Sequence, residues 1–178
     1  FMVCTDHFAS PYTEIFGKKI LEKINPTKYP KIKKLYDNSK RVNFVTGSFM
    51  FMRTDDFNEI GGFDTNIFLY HEESDLCRRM LNISKLTQLV PKAKFIHLHG
   101  VSTTQSIAIK KELKISLLYV IQKHYGFWGH KIVLVYLTVK YFFSGIIKSK
   151  NRALFILVLN GAPLTKSLKQ IQKIKQIH

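Results

Sequence analysis

Apolar and polar positions fall in blocks along this chain, and the blocks predict its elements. Residues 10–40 are polar and rich in lysine, with Pro11, Pro26 and Pro30, and read as a loop carrying one short helix. Residues 42–53, Val-Asn-Phe-Val-Thr-Gly-Ser-Phe-Met-Phe-Met-Arg, are apolar and β-prone, which predicts a buried strand. Gly47 inside that run points to a bulge or to close backbone approach. Thr54 is placed to cap a short helix with Asp55 and Asp56 in its first turn, where the helix dipole favours acids. Gly61-Gly62 ends that helix and starts a loop. A second helix is predicted over 72–83, and two short strands over 86–90 and 94–98, on either side of Pro91-Lys92. A longer helix is expected over 107–125, from apolar positions at Ile109, Leu113, Leu117, Val120 and Ile121. Beyond it, aliphatic blocks at 132–137 and 154–159 alternate with basic residues, and no internal repeat is present.

Composition narrows the class. With 178 residues, 46% hydrophobic and 22% charged, the chain has the makeup of a globular domain with a short appendage. Two cysteines, Cys4 and Cys77, exclude a disulfide framework and a cysteine-based zinc finger, and suit a reducing compartment. No run of 18 charge-free apolar residues occurs, so no ordinary transmembrane helix is expected. The opening Phe1-Met2-Val3-Cys4 lacks the pattern of a signal peptide. It does not start with Met, so the chain is expected to be a piece of something longer.

Charge changes the picture most. The net charge is +16, but residues 1–75 carry 10 Lys and Arg against 11 acids, whereas residues 76–178 carry 18 against one, Glu112. Asp55, Asp56, Glu59, Asp64, Glu72, Glu73 and Asp75 bunch in one stretch. An acidic cluster followed by a basic tail suggests a site joined to a docking surface. Nucleic-acid binders interleave their basic residues with polar and stacking groups. Here the basic residues sit among aliphatic blocks, which favours an anionic membrane surface and argues against nucleic acid. Lys140 interrupts the block at 131–148, and 153–164 is too short to span, so interfacial or re-entrant helices are expected.

The second predicted helix selects a candidate base. At about 100° per residue, Leu76, Cys77, Met80, Leu81 and Ile83 form an apolar face. Glu73 lies near its centre, Glu72 at its edge, and Asp75 with Arg79 on the polar side. Asp75 and Arg79 form an acid-before-base i,i+4 pair, which accounts for Asp75 without a catalytic role as well as a site would. Glu73 is different. An inward carboxylate is costly unless it is paired, ligated or facing a cleft, which makes it a candidate general base. Cys77 reads as a small core residue. His97 and His99 share one face of a predicted strand and suit either a shared metal or simple packing.

Four motifs in order carry a family resemblance: Val45-Thr46-Gly47-Ser48-Phe49-Met50-Phe51-Met52-Arg53; Gly61-Gly62-Phe63-Asp64; Phe68-Leu69-Tyr70-His71-Glu72-Glu73-Ser74-Asp75-Leu76-Cys77-Arg78-Arg79; and His97-Leu98-His99-Gly100-Val101-Ser102. Over about residues 42–126 the chain resembles the C-terminal half of family 2 glycosyltransferases, in particular the rhamnosyltransferase-like enzymes of bacterial surface polysaccharide synthesis. The resemblance implies a Rossmann-like α/β GT-A fold and inverting transfer of a sugar from a nucleotide-sugar donor, with Mg²⁺ or Mn²⁺. It implies a saccharide or lipid-linked acceptor. It places the base at the second acid of the family's acidic motif, which matches Glu73, with Glu72 and Asp75 beside it. Glu stands here for the family's usual Asp, one methylene longer. The metal-side histidine matches His97 better than His99. Gly62, Phe63, Asp64, Phe68 and Tyr70 fall on the acceptor side.

The expected organisation is a polar connecting segment at 1–41, the acceptor and catalytic half at 42–126, and a basic membrane-associating helical tail at 127–178. The expected location is the cytoplasmic face of the plasma membrane. The nucleotide-binding βαβ units and the Asp-x-Asp metal motif of the family have no counterpart here, so a donor-binding half is expected to come from elsewhere. The alternative is a non-catalytic membrane-binding or interaction remnant of such an enzyme. Calorimetry of the isolated chain with several nucleotide-sugars and Mn²⁺ is expected to show no saturable heat; micromolar binding would place a donor site within these residues.

Overall fold

In this computed structural model the structure describes residues 4–5, 7–29, 36–96 and 106–171. They form two compact units, residues 1–65 with 71–101 and residues 66–70 with 102–178. The content is mixed: several helices, small antiparallel strand pairs and one long apolar helix.

The first unit begins with β1 (Cys4–Thr5) and α1 (Pro11–Ile24). The segment read as a loop with a short helix thus forms a 14-residue helix, bent at Gly17, whose φ is 71°. Its start is well specified. The Thr13 amide donates to Ser10 Oγ at 3.1 Å, the Ser10 amide donates to Thr13 Oγ1 at 2.8 Å, and Pro11 fills a first-turn position that needs no amide donor.

The expected strand over 42–53 is much shorter. It is β2 (Lys40–Val42) and β3 (Phe44–Val45), after which the chain turns at Thr46–Ser48 and leaves Phe51 almost fully exposed. An apolar run signals burial only where a partner strand exists. β1 pairs antiparallel with β3, Thr5 opposite Phe44, and no described strand continues alongside residues 46–53. Gly47 accordingly lies in a turn. The turn packs beside Glu73 without an approach that demands glycine: a Cβ at Gly47 would lie 3.7 Å from Glu73 Cβ, an ordinary contact. β2 pairs antiparallel with β4 (Thr87–Leu89), Val42 opposite Thr87, and Val42 and Leu89 form a small core with Tyr36 and Val45. Of the strand expected over 94–98, residues 94–96 are irregular and exposed, and the rest lies outside the described residues.

α2 (Thr54–Glu59) starts one residue earlier than expected: Thr54 is inside the helix and Arg53 is its cap, without a side-chain capping bond. Asp55 and Asp56 are in the first turn, and Asp56 pairs with Lys85 at 2.8 Å. Gly61 and Gly62 end it as expected, both left-handed, with the Gly62 amide donating to the Phe57 carbonyl. α3 (Glu72–Asn82) coincides with the second predicted helix.

The second unit is built on α4 (Ile107–Ile147), capped by Ser106 Oγ and kinked at Gly126, with φ 67° and ψ −167°. The predicted helix end at residue 125 is therefore a bend within a longer helix. Leu117, Val120 and Ile121 are buried as their spacing required, whereas Ile109 and Leu113 are half-buried. α4 is long and apolar enough to cross a membrane; Lys131 and Lys140 hide this from a search for an uninterrupted apolar run. α5 (Arg152–Leu159) packs back on it. Arg152 Nε donates to the Gly145 carbonyl at 3.2 Å, and Phe142 and Phe155 pack at 5.6 Å. Asn66 Nδ2 donates to Tyr119 OH and Ser116 Oγ to the Leu69 carbonyl, which ties residues 66–70 to α4.

Arg79 is the principal polar tie of the first unit. Its Nε donates to Asp75 Oδ2 at 2.8 Å, Nη1 to the Ile60 carbonyl at 2.7 Å, and Nη2 to the Gly62 carbonyl at 2.6 Å. The i,i+4 pair is present as expected, but Asp75 is fully buried, so this is not a solvated surface pair. Arg79→Met is expected to destabilise the protein by about 3–5 kcal/mol, because it strips the guanidinium from a buried carboxylate. Arg79→Lys should recover part of that, since it restores charge but not the fork that reaches two carbonyls. Urea unfolding measures both; a loss under about 0.5 kcal/mol for Arg79→Met would be the signature of a surface pair.

Candidate active site

The site is assembled at the N-terminal end of α3. Tyr70 and His71 precede the helix in left-handed backbone geometry, with φ of 67° and 69°, and His71 is its cap residue without a side-chain capping bond. Two successive non-glycine residues in that region store strain, which the surrounding structure has to hold. The sequence pattern did not single out His71: histidine is enriched at positive φ, but a lone His before a helix does not announce that geometry, and the preceding Tyr70 is not a left-handed former.

Glu72, Glu73 and Asp75 occupy the first turn of α3. Asp75 is taken up by Arg79. Glu72 and Glu73 are half-buried, and Oε2 of each is buried without a hydrogen-bond partner among the described residues. Burial raises Glu73 to about 7; the neighbouring Glu72 charge adds to this, and its own backbone N–H acts the other way. Burial also raises Glu72, again opposed by its own backbone N–H. Glu73 sits against the Gly47 turn on one side, and its charge reaches Cys77 one turn along. Cys77 is buried, and burial lifts its thiol, while hydrogen bonds with the Thr87 side chain and the Val45 backbone act in the opposite direction. It is a core residue, as its place on the apolar face implied.

The other candidates are distributed as follows. Gly62 is buried and joined to Asp75 through Arg79. Phe63 packs edge-on against Phe57 at 5.6 Å. Asp64 is half-buried in the same unit. Phe68 and Tyr70, both half-buried, belong to the second unit. His97 and His99 lie outside the described residues. Among the described residues no group of three His, Cys, Asp or Glu side chains comes together, so these residues do not by themselves build a metal site.

A half-buried carboxylate with an unsatisfied oxygen and a value near 7 is chemically a proton acceptor at neutral pH. It also carries a stability signature. Because the folded state favours the protonated form, Glu73 contributes stability that is complete below its unfolded value near 4.5 and is lost as pH rises to about 7. The total is at most about 3 kcal/mol. Glu73→Gln is expected to flatten this fall when unfolding is measured from pH 4.5 to 8; identical pH slopes for parent and variant would remove Glu73 as a raised carboxylate.

No protein-family model matches the chain, and no solved structure matches it. Two enzymes do. The rhamnosyltransferase WbbL of Escherichia coli (strain K12) is 35% identical over 102 residues, covering 56% of this chain and 38% of that protein. An N-acetylglucosaminyl-diphospho-decaprenol L-rhamnosyltransferase of Mycobacterium tuberculosis (strain CDC 1551 / Oshkosh) is 29% identical over 97 residues, covering 53% of this chain and 32% of that protein. The chain therefore spans about a third of the length of the curated relatives it matches. Over about half of its own length, the chain is related to the rhamnosyltransferase-like family 2 glycosyltransferases.

Proposed function

We propose that this chain supplies the acceptor side and the general base of an inverting, GT-A-type glycosyltransferase of bacterial surface polysaccharide synthesis. The observation that carries the reading is Glu73: a carboxylate at the start of α3, with a buried oxygen lacking a partner among the described residues, held at about 7. The relationship to rhamnosyltransferases supports a hexosyl donor, with rhamnose the first sugar to test. The mycobacterial relative's name supports a lipid-linked saccharide acceptor. A nucleotide-sugar donor puts the reaction at the cytoplasmic face of the plasma membrane.

The chemistry needs a well-placed base on the acceptor side and neutralisation of the departing diphosphate on the donor side. A sugar hydroxyl is a poor nucleophile until its proton leaves. Glu73 Oε2 takes that proton as the acceptor oxygen bonds to the anomeric carbon. The bond from that carbon to the diphosphate oxygen breaks with its electron pair, and attack from the opposite face inverts the centre. The Gly47 turn packs beside Glu73, and the strained Tyr70–His71 step fixes where the helix begins. Both restrict where the carboxylate points, and such positioning is a large part of what a catalytic base requires. Asp75 has a different part: locked to Arg79, it holds α3 against the Gly61-Gly62 turn. His97 and His99, which lie outside the described residues, are the side chains that would hold a divalent metal, which would supply charge neutralisation for the departing diphosphate. The proton transfer itself is carried by Glu73.

In the complete enzyme, Glu73→Gln is expected to lower turnover by roughly 10²-fold or more with donor binding little changed. The activity of the parent should rise with pH through about 7, following Glu73 deprotonation. Near-normal turnover in Glu73→Gln would move the base to Glu72, since Asp75 is buried against Arg79.

A further inference from the structure

Residues 127–147, the arm of α4 beyond the Gly126 kink, present an apolar stripe that the proposed reaction does not use. At about 100° per residue, Trp128, Ile132, Val135, Val139, Phe142 and Ile146 fall within about 80° of one another. They recur at alternating steps of four and three and are 48–76% exposed. Val133 and Leu137, on the opposite side of the arm, are buried. α5 packs back on the arm and leaves Ile156 and Leu159 exposed as well. This stripe is continuous, unlike singly scattered surface apolar residues.

Charge selects the occupant. Residues 127–171 carry seven Lys and Arg and no acid. Lys131 and Lys140 lie to either side of the stripe, their ammonium groups over the Phe127 and Tyr136 rings at 5.3 and 5.5 Å. Each charged end thus rests on an aromatic face beside the stripe, within reach of a headgroup layer. A second copy docked on the stripe would bring like charges together with no acid to offset them. An anionic bilayer surface matches both the apolar stripe and its basic borders.

We propose that this arm lies in the plane of an anionic membrane, its stripe sunk to the acyl boundary and Lys131 and Lys140 at the headgroups. Charge decides against crossing, since length alone would permit it. The arm's 21 helical residues span about 32 Å, close to the apolar core of a bilayer, so a crossing arm would put Lys140 near the midplane. α5, with eight residues, is too short to return across.

Trp128 is the sole tryptophan of the chain and sits on the stripe, so it reports the contact directly. The whole chain should float with phosphatidylglycerol–phosphatidylcholine vesicles and float less with phosphatidylcholine alone. Its tryptophan emission should shift to shorter wavelength on binding, and shallow brominated lipids should quench it more than deep ones. Val135→Asp with Val139→Asp, at exposed positions away from the buried side, should abolish flotation with helicity by circular dichroism retained. Lys131→Gln and Lys140→Gln should each lower partitioning about fivefold and reduce its salt dependence. The proposal is overturned if the parent stays in the soluble fraction with anionic vesicles at low salt, or if the double Asp variant floats as well as the parent. It is equally overturned if the emission shift follows protein concentration without vesicles, which would make the occupant a second copy. Stronger quenching by deep than by shallow bromines would mean a crossing arm and would overturn the in-plane placement.

Discussion

Three carboxylates share the first turn of one helix, and the first unit is organised around removing them from water. A helix N-terminus offsets only part of the cost of burying negative charge. Asp75 meets the rest with a guanidinium, and Arg79, once there, also bonds the carbonyls of Ile60 and Gly62. The end of α2, the Gly61-Gly62 turn and α3 are thereby fixed to one another. Among the described residues, Glu72 and Glu73 have no such cation. Their burial instead moves their protonation equilibria upward, and at Glu73 this reaches the neutral range. The same constraint thus yields a structural acid and a chemically poised one two residues apart.

The second unit resolves its charge differently. Glu112 is the one acid after Asp75, and it is buried, accepting from Ser167 Oγ and the Leu168 amide at 2.8 Å each. Its charge is spent on holding the segment after α5 rather than on neutralising the surface. The outer face of this unit is left with basic residues and an apolar stripe. That combination is a poor match for water or for another copy of itself, and a good one for an anionic bilayer.

These two features suit one enzyme reading. A base near neutrality can deprotonate a sugar hydroxyl, and a membrane-facing arm would hold the protein in the plane where a lipid-linked acceptor resides. Relationship to rhamnosyltransferases over half the chain supports the same chemistry, and the chain spans about a third of the length of those proteins.

Much of this was legible in local sequence. The α3 helix, the Gly61-Gly62 stop, the Asp75–Arg79 pair and the inward position of Glu73 follow from 3.6-residue periodicity and from glycine's tolerance of positive φ, both properties of short stretches. The asymmetric charge and the aliphatic blocks of the tail were equally plain. Properties that depend on distant partners were not. The apolar run at 42–53 looked like one strand because periodicity cannot show where a neighbouring strand ends, and pairing stops at Val45. Asp75 looked solvated because the helical wheel cannot show that the chain at Ile60–Gly62 closes over it. Gly126 looked like a helix end because the packing of α5 against the farther arm is invisible in sequence. The sequence alone determined which residues carry the charge and the chemistry. Tertiary structure decided which of those charges are buried and which meet a cation: fully buried Asp75 is paired with Arg79, whereas half-buried Glu73 has an oxygen with no partner among the described residues and is the one poised to take a proton.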